Sequence, residues 1–112
     1  MNEKPAFEKI EIKGSIRFQP ERISREMLYD SPEMRVALMC LEKGQSLEPH
    51  KAPLRLLMYC LEGRGTFSVG EEEIVLEAGQ AIACAPMVPH GFRADRDDRL
   101  VVMAVVTAAD SD

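Results

Sequence analysis

The sequence predicts an all-β domain, folded as a closed antiparallel barrel or a two-sheet jelly roll. Turn-forming residues recur at intervals of roughly eight to fifteen positions along the chain. The segments between them are short, and they are either apolar or alternate between apolar and polar residues. None of them sustains the 3.6-residue period of a long amphipathic helix. Short strands at this spacing are typical of barrels and jelly rolls.

Length and charge exclude several other classes of protein. A chain of 112 residues forms one domain, which buries roughly two-thirds of the surface that its unfolded form exposes. Its net charge is −5, and its 14 basic residues are scattered among 19 acidic ones. Because binding to nucleic-acid phosphates needs a dense basic face, nucleic acid is not expected as a partner.

Localisation is predicted from two further features of the sequence. No apolar stretch approaches the roughly 18 residues of a membrane span, so no membrane partner is expected. The first residues, MNEKPAFEKIEIKG, lack the apolar region of a signal peptide, which predicts a cytoplasmic protein. Cys40, Cys60 and Cys84 each lie in an apolar run, as buried thiols do in a reducing compartment.

The strands are predicted between the turn signals. In chain order the segments are EKIEIKG, ISREML, MRVALMCL, RLLMYCL, GTFSVG, EEIVLEAG, AIACA, HGFRA and RLVVMAVV. Residues 20–28 are predicted as one helical turn or an edge strand. Residues 1–33 are expected to supply strands or an arm that completes the barrel or a dimer interface. Residues 34–107 are expected to form the barrel core, and residues 108–112 a short polar tail.

Glycines divide the middle of the chain. CLEGRGTFSVGEEEIVLEAG is predicted as a strand, a turn at Gly63–Gly65, a short strand, a turn at Gly70 and a last strand that ends at Gly79. Each of these glycines can take the positive φ that tight hairpins require. No helical pattern follows Gly63–Gly65, so this pair is not a phosphate-binding loop.

The two histidines of the chain each lie in a spaced motif. The pattern G-x5-H-x-H-x3-E-x6-G fits from Gly44 to Gly63, with His50 at its first histidine. The pattern G-x5-P-x-G-x2-H-x3-N begins at Gly79 and places His90 at its histidine. Over residues 34–107 the chain therefore resembles a small single-domain cupin, whose fold is a double-stranded β-helix, or jelly-roll barrel.

The resemblance implies a degenerate metal site. In metal-dependent cupins two histidines and a glutamate of the first motif, with the histidine of the second, hold one metal ion. Ala52 and Leu56 occupy the positions of the second histidine and the glutamate, so only His50 and His90 remain as ligands. A divalent transition metal in this partial site is the one cofactor that the residues suggest. The proline, glycine and asparagine of the second motif are replaced by Ala85, Met87 and Ala94.

The same residues support a pocket without a metal. By the resemblance and by strand alternation, the residues that face the barrel interior are His50, Ala52, Leu56, Met58, His90 and Phe92. An apolar cavity with two convergent imidazoles is a usual small-molecule site. Because imidazole changes charge near neutral pH, the pair could bind an anion or transfer a proton. In the third alternative the interior is packed solid, and each imidazole binds a backbone carbonyl or a water.

Two classes of function follow. The first is a metal-poor module that binds a small molecule, in a regulatory or sensor role. The second is an enzyme in which His50 and His90 act as acid and base, or as partial metal ligands. Such an enzyme would isomerise, decarboxylate or oxygenate a small carboxylate or sugar-like substrate. Arg55 and Arg93 flank the histidines in sequence. They either rim the mouth of the pocket, where they would favour a carboxylate or phosphate, or are simply solvated.

A homodimer is expected through one sheet. The outer face of RLLMYCL carries Leu57, Tyr59 and Leu61, and the run VVMAVV at 101–106 is apolar on both faces. Such surfaces need cover, which a second copy of the chain would supply.

Overall fold

The predicted all-β barrel is confirmed by a computed structural model of the protein, which describes residues 5–108. The described residues form eight strands and one short 3-10 helix, Lys13–Ser15. The strands are β1 (Ser24–Asp30), β2 (Met34–Leu41), β3 (Ser46–His50), β4 (Leu54–Val69), β5 (Glu72–Glu77), β6 (Ala81–Cys84), β7 (His90–Ala94) and β8 (Leu100–Ala108). The polar tail predicted at 108–112 lies outside the described residues except for Ala108. Within residues 5–108 no helix is long and apolar enough to cross a membrane.

Strand β4 holds the two sheets of the barrel together. All of its pairings are antiparallel, and the strand order is β1-β2-β8-β4-β7-β3. Up to Gly63, β4 pairs with β8 and β6, and from Arg64 onward it pairs with β7 and β5. One 16-residue strand therefore belongs to both sheets. This connection brings β3 and β7, which carry the two histidines, opposite β1 and β2.

The turn predicted at Gly63–Gly65 is wrong, because β4 runs through both glycines. The register of β4 against β8 shifts between Cys60 and Glu62, and Gly63 follows this bulge with a φ of 82°. A Cβ atom at Gly63 would overlap the carbonyl oxygen of Arg99, and one at Gly65 would also meet a backbone carbonyl. These glycines therefore let another strand approach closely where β4 bends from one sheet to the other.

The barrel core comes from alternate residues of the strands. In β4, Leu56, Met58 and Cys60 are buried while Leu57 is exposed, as one inward face requires. Further along the strand, Phe67 packs against Phe92 of β7 with ring centroids 5.2 Å apart. This core fills one end of the barrel.

A second apolar cluster lies on the outer face of the sheet. It is built on Leu38, Cys40 and Val101, and the residues packed against it are Ile12, Ile16, Phe18, Leu28, Leu61 and Met103. The N-terminal segment is held there because the Arg99 guanidinium lies 4.4 Å from the centre of the Phe18 ring and also pairs with Glu42 at 2.9 Å.

The outer cluster changes the argument for a dimer. The chain's own residues 12–18 cover part of the apolar face that was expected to need a second copy. Leu57 keeps 39% of its surface exposed on this side of the sheet. The homodimer stays a prediction that rests on the remaining exposed surface.

Candidate functional site

A cavity of about 530 Å³ lies in the barrel, between the walls formed by β1, β2 and β8 and the strands β3 and β7. The six residues predicted to form a pocket all line it: His50, Ala52, Leu56, Met58, His90 and Phe92. Its floor is apolar, with Leu56, Met58 and Phe92 buried beneath the opening. The barrel interior is therefore not packed solid at this end.

The two imidazoles meet across neighbouring strands. His50 of β3 and His90 of β7 are direct cross-strand partners in the antiparallel ladder. Their ring centroids lie 4.5 Å apart with an interplanar angle of 60°, an edge-to-face contact. His50 is exposed and His90 half-buried, so the pair lies where the cavity meets solvent.

Local sequence explains how the pair comes together. The register between β3 and β7 shifts between Leu47 and His50, where Pro49 has no N–H to donate to the ladder. Gly91 lies under this irregular stretch, and a Cβ there would be 2.6 Å from the Leu47 carbonyl oxygen. A proline beside one histidine and a glycine beside the other therefore allow the close approach of the rings.

Both imidazoles are oriented by backbone carbonyls. The Nδ1 atom of His90 lies 3.0 Å from the Val88 carbonyl oxygen. The Nδ1 atom of His50 makes a longer contact of 3.4 Å with the Glu48 carbonyl oxygen. Since a carbonyl oxygen only accepts hydrogen bonds, the short contact of His90 assigns the proton of its neutral ring to Nδ1. The Nε2 atom of His90 is then left to accept a proton or a hydrogen bond from a ligand.

A backbone hydrogen bond links the loop that follows His50 with the loop that precedes His90. The N–H of Met87 donates to the carbonyl oxygen of Ala52 at 2.8 Å. Met87 takes a φ of 69° to do so, which is unfavourable for a residue with a Cβ atom. This is the position at which the second motif has glycine.

Replacing Met87 with glycine is expected to stabilise the protein by about 0.5 to 1 kcal/mol, because glycine adopts this conformation without the steric cost. The Met87 side chain is 51% exposed, so its loss removes little packing. Urea denaturation of wild type and Met87→Gly measures the effect. Met87→Ala is the matched control, since it shortens the side chain but keeps the Cβ atom. An equal gain in both variants would contradict the explanation.

Two arginines that the sequence analysis missed line the cavity. Arg25 of β1 pairs with Met39, whose side chain is in the barrel core, and Arg35 of β2 pairs with Val106, which packs against that core. Cross-strand partners share a face of the sheet, so both arginines lie on the inward face. Arg25 and Arg35 line the cavity, whereas Arg55 and Arg93, which were considered for its rim, do not.

Strand alternation explains why Arg55 and Arg93 do not line the cavity. Arg55 lies between Leu54 and Leu56, and Arg93 follows Phe92; these three apolar residues line the cavity. Successive residues of a strand point to opposite faces, so both arginines belong to the outer face. Of the two alternatives for these arginines, a solvated position therefore agrees with the structure, because a residue close in sequence to a histidine does not necessarily face the cavity.

The donor atoms do not fit the metal site that the two motifs usually provide. Within residues 5–108, no group of three or more His, Cys, Asp or Glu side chains is arranged to hold a metal ion. His50 and His90 supply two imidazoles, whereas protein sites for zinc and related metals usually take three or four ligands. Ala52 and Leu56 line the same cavity and have no donor atoms in their side chains. The partial site of His50 and His90 stays a prediction.

Comparison with known families gives one match. The sequence model of the Cupin_2 family, described as a cupin domain, matches residues 37–106. These residues include both histidines and all strands from β3 to β7. No curated protein matches the chain.

Solved structures share the architecture over nearly the whole chain. TT1209 from Thermus thermophilus is 28% identical, with a TM-score of 0.86 over 93% of this chain and 100% of its own. An RmlC-like cupin protein from Desulfovibrio desulfuricans is 23% identical, with a TM-score of 0.81 over 90% of this chain and 96% of its own. KdgF from a Halomonas species is 20% identical, with a TM-score of 0.74 over 93% and 97%. The last two similarities concern the fold alone.

Proposed function

Since the chain belongs to the Cupin_2 family of cupin domains, we propose that it binds a small organic molecule inside its barrel, with no need for a bound metal ion. The observation that carries this proposal is the open cavity behind the paired imidazoles of His50 and His90. The fold alone does not identify a ligand, because cupin-like barrels, like other widespread folds, carry many unrelated functions.

The size and lining of the cavity support this function. Its volume of about 530 Å³ lies within the roughly 300–1,000 Å³ of typical small-molecule pockets. Apolar side chains form the floor, and the two imidazoles and the two arginines supply polar groups at the walls. A few polar groups around an apolar floor give both affinity and orientation. A sensor or regulatory role is consistent with such a site.

Filling the cavity is the direct test. Ala37 is half-buried on β2 and lines the cavity, so Ala37→Phe is expected to place a ring in the ligand volume. We expect fragments that bind wild type in an NMR screen to bind this variant at least about tenfold more weakly, since the volume that they need is occupied.

Ala83→Phe is the matched control for the screen. Ala83 is exposed on β6, pairs with Leu57 and does not line the cavity. Amide spectra of both variants establish that the barrel is folded. The proposal is wrong if no fragment binds wild type, or if fragments bind all three proteins equally.

Acid–base catalysis is the second candidate function, and the orientation of the imidazoles favours it. Because Nδ1 of His90 is held by the Val88 carbonyl, Nε2 is free to take a proton from a bound substrate. The isomerase alternative needs such a base to take a proton from carbon, whereas the decarboxylase alternative needs a protonated imidazole that returns a proton to the carbon that loses CO2. Following each bound fragment by NMR for chemical conversion, in wild type and in His90→Gln, distinguishes an enzyme from a binding module.

A further inference from the structure

We propose that the ligand is a small organic anion, whose carboxylate or phosphate group binds between Arg25 and Arg35 while its apolar part lies on the cavity floor. This inference rests on the proposed function, since it specifies the ligand of the same cavity. It concerns the wall formed by β1 and β2, which lies outside both histidine motifs.

The space between the arginines is shaped for a ligand group. Arg25 is opposite Met39, and Arg35 lies four residues before Met39 on the same strand, so the two Cα positions are separated by roughly 13 Å along the sheet. The inward residue between them on β2 is Ala37, and its cross-strand partners are Met27 on β1 and Ala104 on β8. Met27 is 53% exposed, and the two small alanines leave a hollow beside it, toward which both long arginine stems can extend.

The charge of the hollow is positive although the protein is acidic. Among the residues that line the cavity, Glu26 is the one acidic residue. Glu26 pairs with Leu38, which belongs to the outer cluster, so its carboxylate is directed to the other face of the sheet. Two guanidinium groups of the lining therefore share the inward face without the Glu26 carboxylate, in a chain of net charge −5. Asp30 pairs with Arg35 across the strands but does not line the cavity.

Neither guanidinium has a partner among the residues that the structure describes. Within residues 5–108, Arg25 and Arg35 form no ion pair, side-chain hydrogen bond or ring contact. By contrast, Arg64 pairs with Glu77 and Asp95, and Arg99 pairs with Glu42. Guanidinium groups bind carboxylate and phosphate through two parallel hydrogen bonds, so an organic anion would supply the missing partner.

Matched probes test the charge requirement. Hexanoate, hexanamide and hexyl phosphate share one apolar tail and differ in the head group, and an NMR titration of wild type gives the three dissociation constants. We expect at least one of the two anions to bind about tenfold or more tightly than hexanamide, as charged hydrogen bonds imply. Comparing hexanoate with hexyl phosphate then separates a carboxylate ligand from a phosphate ligand.

Variants of the two arginines test whether the preference for an anion depends on the cavity wall formed by β1 and β2. Arg25→Gln and Arg35→Gln, singly and together, are expected to reduce the preference for the anion, with the double variant close to no preference. Arg93→Gln is the control, because it removes the same charge from an exposed residue that does not line the cavity. An equal loss in Arg93→Gln would show a long-range effect of net charge and would overturn the inference.

Failure of this inference differs from failure of the proposed function. If the amide binds as well as the anions, or if the arginine variants keep the wild-type preference, the anion site is wrong and the binding cavity stands. If the three probes do not bind but fragments in the cavity screen do, the anion site is again wrong. If the screen finds no ligand either, the proposed function is also wrong.

Discussion

Replacing Gly63 with alanine is expected to cost more than about 4 kcal/mol of the free energy of unfolding. The backbone of Gly63 has a φ of 82°, where an alanine costs about 1–2 kcal/mol. The added Cβ atom would also overlap the carbonyl oxygen of Arg99 and lie 3.3 Å from the Cα atom of Leu100. Because these are backbone atoms, no side chain can rotate away to relieve the overlap. Strand β8, which begins at Leu100, must then move away from β4.

Denaturant unfolding of Gly63→Ala and Gly44→Ala separates the two causes. Gly44 has nearly the same φ, 80°, but nothing lies within 4 Å of a Cβ atom built there. Gly44→Ala should therefore lose about 1–2 kcal/mol and keep the wild-type amide spectrum. For a domain of this size, the loss in Gly63→Ala corresponds to a melting temperature lower by roughly 15 °C or more, or to an unfolded chain. Equal losses in the two variants would show that the close approach of Arg99 to β4 does not require a glycine at position 63.

The same glycine shows what the sequence could not reveal about the fold. A glycine pair between two apolar runs indicates a turn, because glycine is most often used for its positive φ. Here Gly63 also makes room for residue 99, which is far away along the chain. Close approach of another strand leaves no mark beside the glycine in the sequence. By contrast, the turns at Gly70 and Gly79 depend on local conformation, and they were predicted correctly.

The histidine side of the cavity could be predicted because motif spacing and strand alternation agree there. His50 and His90 come from different motifs, and the structure pairs them directly. Along β4, polar Arg55 separates Leu54 and Leu56, so the inward face can be identified from the sequence. The positions of these residues could therefore be derived before any coordinates, although their function stays a proposal.

The sequence did not reveal that Arg35 faces the cavity, because β2 is apolar on both faces. Val36, Leu38 and Cys40 are buried on one side of the sheet, and Ala37 and Met39 lie on the other. Neither set looks more like a core than the other, so the sequence does not tell which face Arg35 shares. The N-terminal segment decides which face of β2 is the outer one. It covers the face of Leu38, so the face of Arg35 is directed to the cavity. The sequence did contain one signal for the position of Arg35. Arg35, Ala37 and Met39 alternate along β2, so a small alanine lies between the arginine and a larger apolar residue on the same face. Small side chains often mark space for a ligand.

The Cys60 thiol of the folded protein is expected to react with iodoacetamide at pH 8 at least about 100-fold more slowly than an exposed cysteine, and Cys40 and Cys84 are expected to react more slowly as well. Burial raises the pKa of the Cys60 thiol to about 11, and the nearby charges of Asp98 and Glu77 add to the shift. Burial likewise raises the pKa of Cys40 and of Cys84. The thiolate is the reactive form, and a pKa two units higher leaves about 100-fold less of it at this pH.

The control for thiol reactivity is Ala83→Cys, which adds an exposed thiol beside buried Cys84. Mass spectrometry should find this cysteine modified first, and the three native thiols modified only after denaturation.

The raised pKa of Cys60 also predicts how the stability of the protein depends on pH. Between pH 9, the ordinary value, and about 11, the unfolded chain loses the Cys60 proton while the folded chain keeps it, so the free energy of unfolding should fall as pH rises through this window. Cys60→Ser, which has no thiol to titrate, should show a smaller fall; an unchanged pH dependence would mean that Cys60 is not desolvated in the folded barrel.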